Sequence, residues 1–552
     1  MPLNKICSTC YAAVWVVLLG LGLTACSTSI SAAQSPTEMP PTAVPAPTAT
    51  PEPTLALWVS DQLPQAAQEA AVLPDSVQRA ASAPQANAQL VPGGSGSLAG
   101  DWVYALVAPF PTLADSVNIQ ALQSAWANGP QPDFPARRLL VDEPTRRMLQ
   151  ALWQSPPAAW VQTLPADQLL DEAWQANTPT WAIIPFELIQ PRWKVIQLDG
   201  QSPLHKQFDA AAYPLTVPIH LQAQPDILQR LQQTAGLPFI TNRRADRLTT
   251  VMITGTTALV RGTASMMELK GMEYPAQVIG DTLREADILH ISNEVSFAKD
   301  CPPPYPHPPE LIFCSQERYI GLLESIGTDV VELNGDHNQD WGLDAFRFTL
   351  DLYRQRQWKT YGGGLNLNEA EQPALFEHNG NRIAFLGCNA KAKGYATVSE
   401  KSAGALSCNM DEMRAQVSRL RDEGYLPIVT FQHKEYLEFI GRPALQTDFR
   451  SMSQAGAVIV SGSQAHQPHT FEFDGDHFLH YGLGNLFFDQ FYESEPERQN
   501  FLDRHVFYEG RYLGTELLTT QFVDLAQSRF MTAEERQALL QTVFQAGGYS
   551  PR

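Results

Sequence analysis

The run Ala457–Val458–Ile459–Val460 follows Gly456 and ends at Ser461-Gly462, too short for a helix and suited to a fully buried strand. It opens into SGSQAHQPHTFEFDGDHFLHYGLGNLFFDQ, residues Ser461–Gln490, whose first loop carries His466 and His469. A loop at the end of a buried strand, with imidazoles projecting from it, is a common way to build a metal or phosphate site on an α/β sheet. Taken alone, the same loop reads equally well as a polar turn with two surface histidines. Further on, Tyr481-Gly-Leu-Gly-Asn485-Leu-Phe-Phe-Asp489 sets two glycines, an amide and a carboxylate among aromatics. That composition suits close backbone packing beneath a site.

The same cadence of a short apolar run, then glycine or a polar ligand type, recurs upstream. Leu248-Thr-Thr-Val-Met-Ile-Thr-Gly255 is rich in β-branched residues and ends on glycine. Asp287-Ile-Leu-His-Ile-Ser-Asn293-Glu294 is a strand ending in an acid, and Val330-Val-Glu-Leu333 runs into Asn334-Gly-Asp336-His337-Asn-Gln-Asp340-Trp341-Gly342. Asn381–Gly387 and Pro427–His433 complete the set. Between them, Tyr319, Leu322, Leu323 and Ile326 have helical spacing closed by Gly327, and Met413, Val417 and Leu420 mark another helix. The triplet Gly362–Gly364 reads as a turn rather than a phosphate cradle, since no lysine-bearing P-loop follows.

These motifs resemble the CapA family of poly-γ-glutamate capsule proteins. Gly462, His466, Glu472, Tyr481, Leu483, Gly484, Asn485, Phe488 and Asp489 match its C-terminal signature, and Arg261-Gly262 matches its opening motif. Glu294, then Asp336, His337, Asp340 and Gly342, fall on its central motifs, and Glu369-Ala370 with Pro373 follow. His433-Lys-Glu435-Tyr436 stands on another motif with its spacing contracted by two. The resemblance implies a metallophosphatase-like α/β sandwich and a site for one or two divalent metal ions. Glu294, Asp336, His433, Gln464 and His466 would be the ligands, with His337 and Asp340 in a catalytic, proton-donating role. Thr256 stands where the family has a ligand Asp, and Gln464 where it has a ligand His, so two strong ligands are replaced by weaker ones. The functional expectation is synthesis, export or anchoring of a capsule or envelope polymer, with other polymer-synthesis proteins as partners. The alternatives are a metal-dependent phosphoesterase and small-anion binding through the N-terminal region.

The N-terminus reads as an address. Lys5 precedes the apolar run Tyr11–Leu23, which has the length of a signal-peptide core. Leu23-Thr-Ala-Cys26 resembles a bacterial lipobox, which implies cleavage before Cys26, lipidation of its thiol and anchoring to the outer face of the cell membrane. Residues 27–54 are Ser/Thr/Pro/Ala with few charges, a composition that cannot bury enough apolar surface to fold. Once Cys7, Cys10 and Cys26 are set aside, Cys301, Cys314, Cys388 and Cys408 remain. Four thiols in an exported chain suggest disulfides. The pairs Cys301–Cys314 and Cys388–Cys408 close the shortest irregular stretches.

Residues 55–240 carry strands such as Trp102–Phe110 and Trp181–Phe186, and the helical pattern Val117–Trp126, which together predict a smaller α/β domain. Its cadence WVYALVAPF, WAIIPFEL, WKVIQLDG resembles a type II solute-binding protein. The sandwich is expected over 247–495 and an extension packed on it over 496–552, with Thr532 and Glu535 as a capping box. A net charge of −20 argues against a nucleic-acid partner, which needs clustered Lys and Arg.

Overall fold

The computed structural model describes residues 54–550, apart from 154–155, 157–158, 235, 392–395 and 491–494. The signal-peptide, lipidation and stalk readings, Cys26 included, lie outside those residues.

Lys359–Tyr361, Val330–Glu332, Ile288–Asn293 and Leu248–Thr254 lie side by side in parallel. The last three are buried along their whole length, which explains why they read as near-continuous apolar runs. Alternate side chains divide between two cores. Met252, Leu289 and Val331 pack with residues of the helices Arg261–Lys270, Ile320–Ser325 and Gly342–Gln355. Val251, Ile253, Ile288 and Val330 instead meet Ile383, Phe385, Ile428, Ile459 and Phe478 from a second sheet.

That second sheet has a parallel centre, Asn381–Asn389, Leu426–Gln432, Ile459–Ser461 and His477–His480, with antiparallel edge strands Ala374–His378 and Phe471–Asp474. Helices Met410–Asp422 and Pro443–Gln454 cover its outer face through Met413, Val417, Leu420, Leu445, Phe449 and Met452. The result is helix, sheet, sheet, helix. The class is α/β, and this is the sandwich the family resemblance implies.

The last strands complete the first of these sheets. Gln499–Tyr508 runs antiparallel to Leu248–Thr254 from Leu248 opposite Tyr508 to Thr254 opposite Leu502. Glu509 and Gly510, both at positive φ (48° and 74°), turn the chain into Arg511–Phe522. That pair of left-handed residues is the signature of a tight hairpin matched to strand twist. Thr532 and Glu535 form the capping box of helix Ala533–Ala546.

Residues 55–241 build a separate, mixed sheet of eleven strands around the 13-residue strand Ser97–Pro109. Thr216–Ala223, Thr180–Pro185 and Trp193–Leu198 pair with it antiparallel, and Ile240–Thr241 parallel. Its core extends into the tail through Val506, Tyr508 and Leu513. Arg536 adds a two-pronged ion pair to Asp115, at 2.6 and 2.9 Å.

His505 provides a test of the buried tail strand. Its Nδ1 lies 2.7 Å from Thr515 Oγ1, and burial pushes its pKa from 6.5 down to about 4. The folded pKa is therefore below the unfolded one, so between pH 6.5 and 4 the unfolded chain binds more protons. The stability contributed by the neutral imidazole is present above that window and is lost as pH falls through it, by up to ~1.4 kcal/mol per pH unit. Urea unfolding at pH 7 and pH 5 should show this decline, and it should be shallower in His505→Leu. An identical decline in the variant would remove His505 as its source.

Candidate functional site

Parallel strands from both sheets end at one edge of the sandwich, where α/β folds place their ligands. Thr256 and Glu294 follow the strands Leu248–Thr254 and Ile288–Asn293, and Asn334–Asp340 follows Val330–Glu332. From the facing sheet come Lys391 after Asn381–Asn389, Glu435 after Leu426–Gln432, and Ser463–His466 after Ile459–Ser461.

Asp336 is engaged on both oxygens. Its Oδ2 accepts from Lys391 Nζ at 2.8 Å and its Oδ1 from Gln432 Nε2 at 2.5 Å. The same ammonium donates to Glu435, whose Oε2 is 3.6 Å from His466 Nε2. On the other side of the ring, His466 Nδ1 lies 2.8 Å from Asn485 Oδ1. His337 Nδ1 lies 2.7 Å from Asp340 Oδ2, and the ring of Phe313 covers it at 5.1 Å. Phe313 is held in turn by its own N–H, which donates to Asp340 Oδ2 at 3.0 Å. Glu294 is buried, with Gly335 pressed so close that a Cβ there would lie 2.6 Å from the Glu294 Cα.

These charges act on one another. Burial alone would lower the His466 pKa, but Glu435 and Glu294 raise it to about 9. His337 behaves alike: burial opposes its charge, and Asp340 and Glu294 carry it up to about 9. Burial lifts the Glu294 carboxyl above its usual value, against the pull of His466 and His337. Asp336 is half-buried and Glu435 is exposed on one side, and Lys391 and the neighbouring imidazoles hold both below the ordinary carboxylate range.

Glu294, Asp336, His337 and His466 thus share one electrostatic neighbourhood, and Asp340 orients His337. The remaining expected ligands do different work. Gln464 donates from Nε2 to Ser292 Oγ at 2.6 Å inside the fold, and His433 Nε2 meets Asp448 Oδ2 at 3.1 Å. Thr256 turns its hydroxyl towards the carbonyls of Ser463 and Ala465, at 3.4 and 3.5 Å. Among the described residues, no group of three or more His, Cys, Asp or Glu side chains could hold a metal ion. Of the expected ligands, Glu294, Asp336 and His466 fall in this neighbourhood, while Gln464 and His433 face other partners. The donors do not fit a divalent cation, because the carboxylates of Asp336 and Glu435 are already shared by an ammonium group. His433, Glu435, Tyr436, His466, His469 and Gln490 instead line a cavity of about 210 Å³ beside this cluster.

Three groups escaped the sequence reading. Lys391 stands two residues beyond a strand end, a position that carries no ligand signal for a cation. Glu435 stands on the Glu of the motif that begins at His433, a position to which no ligand role was attached. Glu332 lies fully buried inside a strand, accepting from Ser463 Oγ and, at 2.7 Å, from Asn334 Nδ2, with His290 Nε2 3.3 Å away. An acid within the run Val330–Leu333 was its signal, since buried carboxyl groups need partners. The glycine triplet is a packing device: Gly362 (φ 71°) lies so near Asn334 that a Cβ would come within 1.8 Å of its Oδ1. Arg261 and Asp489, from the two ends of the motif set, meet at 3.6 Å, and Gly262 N–H donates to Asp489 Oδ2 at 3.2 Å.

Both disulfides form as the spacing suggests, with Cα separations of 5.7 Å for Cys301–Cys314 and 5.0 Å for Cys388–Cys408. The first closes the loop that carries Phe313 onto His337, and the second crosslinks the strand that leads to Lys391. Removing Cys301–Cys314 by double substitution to Ser opens a loop of 13 residues' separation. The expected loss is about 3 kcal/mol of unfolding free energy, read by urea denaturation. An unchanged midpoint would show that the loop is constrained without its crosslink.

Residues 250–490 match the model of a family described as bacterial capsule synthesis protein PGA_cap. Among curated proteins, the "Capsule biosynthesis protein CapA" of Bacillus anthracis is 23% identical over 265 residues, 47% of this chain and 64% of the relative. The "PGA biosynthesis protein CapA" of Bacillus subtilis (strain 168) is 22% identical over 251 residues, 45% of this chain and 65% of the relative. The chain therefore spans just under two thirds of the length of these relatives. Solved structures overlap more loosely. The NAD nucleotidase (NadN) of Haemophilus influenzae is 10% identical, covering 55% of this chain and 64% of its own, at a TM-score of 0.30. An ABC-type phosphate transport receptor from Vibrio cholerae is 13% identical, covering 31% of this chain and 87% of its own, at 0.26. At such TM-scores neither carries a functional argument.

Proposed function

We propose that this chain is a surface-anchored, CapA-like protein that takes part in making, exporting or tethering a capsule or envelope polymer such as poly-γ-glutamate. The observation that carries this reading is the family match over residues 250–490, which spans every strand end that feeds the cleft. The lipobox-like Leu23–Cys26 supports a lipid tether, with the Pro-rich segment behind it as a spacer. No helix among the described residues is long and apolar enough to cross a membrane. Other polymer-synthesis proteins would be its partners at the cell surface.

The test is deletion of the gene in its host bacterium, followed by quantification of cell-bound polymer after acid hydrolysis. Loss of bound polymer, restored by the wild-type chain, is expected; Cys26→Ser should restore less and release the protein into the medium. Unchanged polymer in the deletion strain would overturn the reading. Metal-dependent hydrolysis of an aryl phosphate that His337→Ala abolishes would assign the phosphoesterase role instead.

A further inference from the structure

We propose that the ε-ammonium of Lys391 takes the place of a divalent cation at the strand-end cluster, so that this site is held together by a charge the chain itself supplies. The geometry carries the argument. Lys391 Nζ bridges the carboxylates of Asp336, at 2.8 Å, and Glu435, which come from strands that are not neighbours in the sequence. Bridging carboxylates from separate strand ends is what an ion does in a metal-dependent hydrolase. The ammonium is well shielded, with its side chain 13% exposed, and Asp336 is 9% exposed.

Several of the surrounding side chains are engaged by protein partners, while Glu294 Oε2 and Gln464 Oε1 are buried without one. An ammonium supplies only hydrogens, so every group around it has to accept or find another partner. Asp336 Oδ1 is taken by the Gln432 amide at 2.5 Å, and His466 Nδ1 by Asn485 at 2.8 Å. Gln464 faces Ser292 at 2.6 Å, away from the ammonium. A divalent ion entering here would have to evict Lys391 from two charge-assisted hydrogen bonds or sit beside it uncompensated. Either demand weakens metal binding far below that of a site with free carboxylates. Deleting the lysine should reverse the situation, since Asp336 and Glu435 would lose their shared cation and, with His466 3.6 Å from Glu435, would be free to close around an added ion.

The experiment uses the full chain, stripped with a chelator and then titrated with Mn²⁺ or Zn²⁺, with bound metal counted by elemental analysis and thermal unfolding followed in parallel. Wild-type protein is expected to retain substoichiometric metal, and its unfolding midpoint should move with neither chelator nor metal. Lys391→Ala is expected to hold about one ion per chain and to unfold at a higher temperature when metal is present. Stoichiometric metal on the wild type, lost in Asp336→Asn, would overturn the proposal. So would a folded Lys391→Ala chain that takes up no metal. Should Lys391→Ala fail to fold without metal, rescue of folding by Mn²⁺ or Zn²⁺ supports the proposal, and failure of rescue in both this variant and Lys391→Met overturns it. None of these outcomes depends on which polymer the protein handles.

Discussion

Glu332→Ala is expected to lower the unfolding free energy by about 3 kcal/mol or more, measured by urea denaturation. The Glu332 carboxyl lies at the centre of a fully buried network between the two sheets of the sandwich. It accepts from Ser463 and from Asn334 at 2.7 Å, and His290 Nε2 lies 3.3 Å away. His290 continues to Tyr361 Oη at 2.8 Å, and Tyr361 to Thr430 Oγ1 at 2.8 Å. Truncation leaves the Ser463 hydroxyl without its acceptor and a void where water is excluded, and both effects add. Glu332→Gln keeps the shape and one acceptor oxygen, so its loss should be clearly smaller. Equal losses in the two variants would mean that the carboxylate's hydrogen bonding, and not the space it fills, sets the cost. Because Ser463 opens the loop of His466, Glu332→Ala should also weaken whatever the cleft binds.

Phe471→Ala is the second large change, with an expected loss of about 3–5 kcal/mol. Phe471 is fully buried and gathers three parts of the chain around one ring. Phe110 of the N-terminal sheet meets it edge-on at 5.0 Å, Phe478 lies at 5.5 Å, and Phe544 and Tyr549 of the tail lie at 5.6 and 5.2 Å. The cavity left by alanine cannot close without moving all three, so relaxation recovers little. The measurement is again urea unfolding, joined by limited proteolysis at the tail helix. A loss below about 1 kcal/mol would show that the segments are held together by other contacts, Arg536–Asp115 foremost.

Much of this architecture was legible beforehand. Strands such as Leu248–Thr254 and Leu426–Gln432 are apolar throughout because both faces are buried, and such runs need no tertiary knowledge to read. The capping box at Thr532, the hairpin turn before Tyr512 and the two disulfides are local too, set by residues near one another in the chain. The partners of the side chains around the cleft were not legible in the same way. His433 had the right identity and an ambiguous spacing, and only its Asp448 partner, fifteen positions on, shows that it serves the helix beside it. Gln464 was recognisable as a weak ligand, but its contact with Ser292 depends on a strand 172 residues away.

What the sequence determined by itself is the alternation of buried strand and covering helix, and the placing of acids and imidazoles at strand ends. Hydrophobic periodicity and turn chemistry act over a few residues and are written into the chain directly. What only the tertiary structure decided is which of those groups face one another. Lys391, Asp336 and Glu435 are far apart in sequence, and their ion pairs arise because two sheets stack with their strand ends at one edge. Electrostatic energy depends on distance through space, and no pattern along the chain encodes that distance.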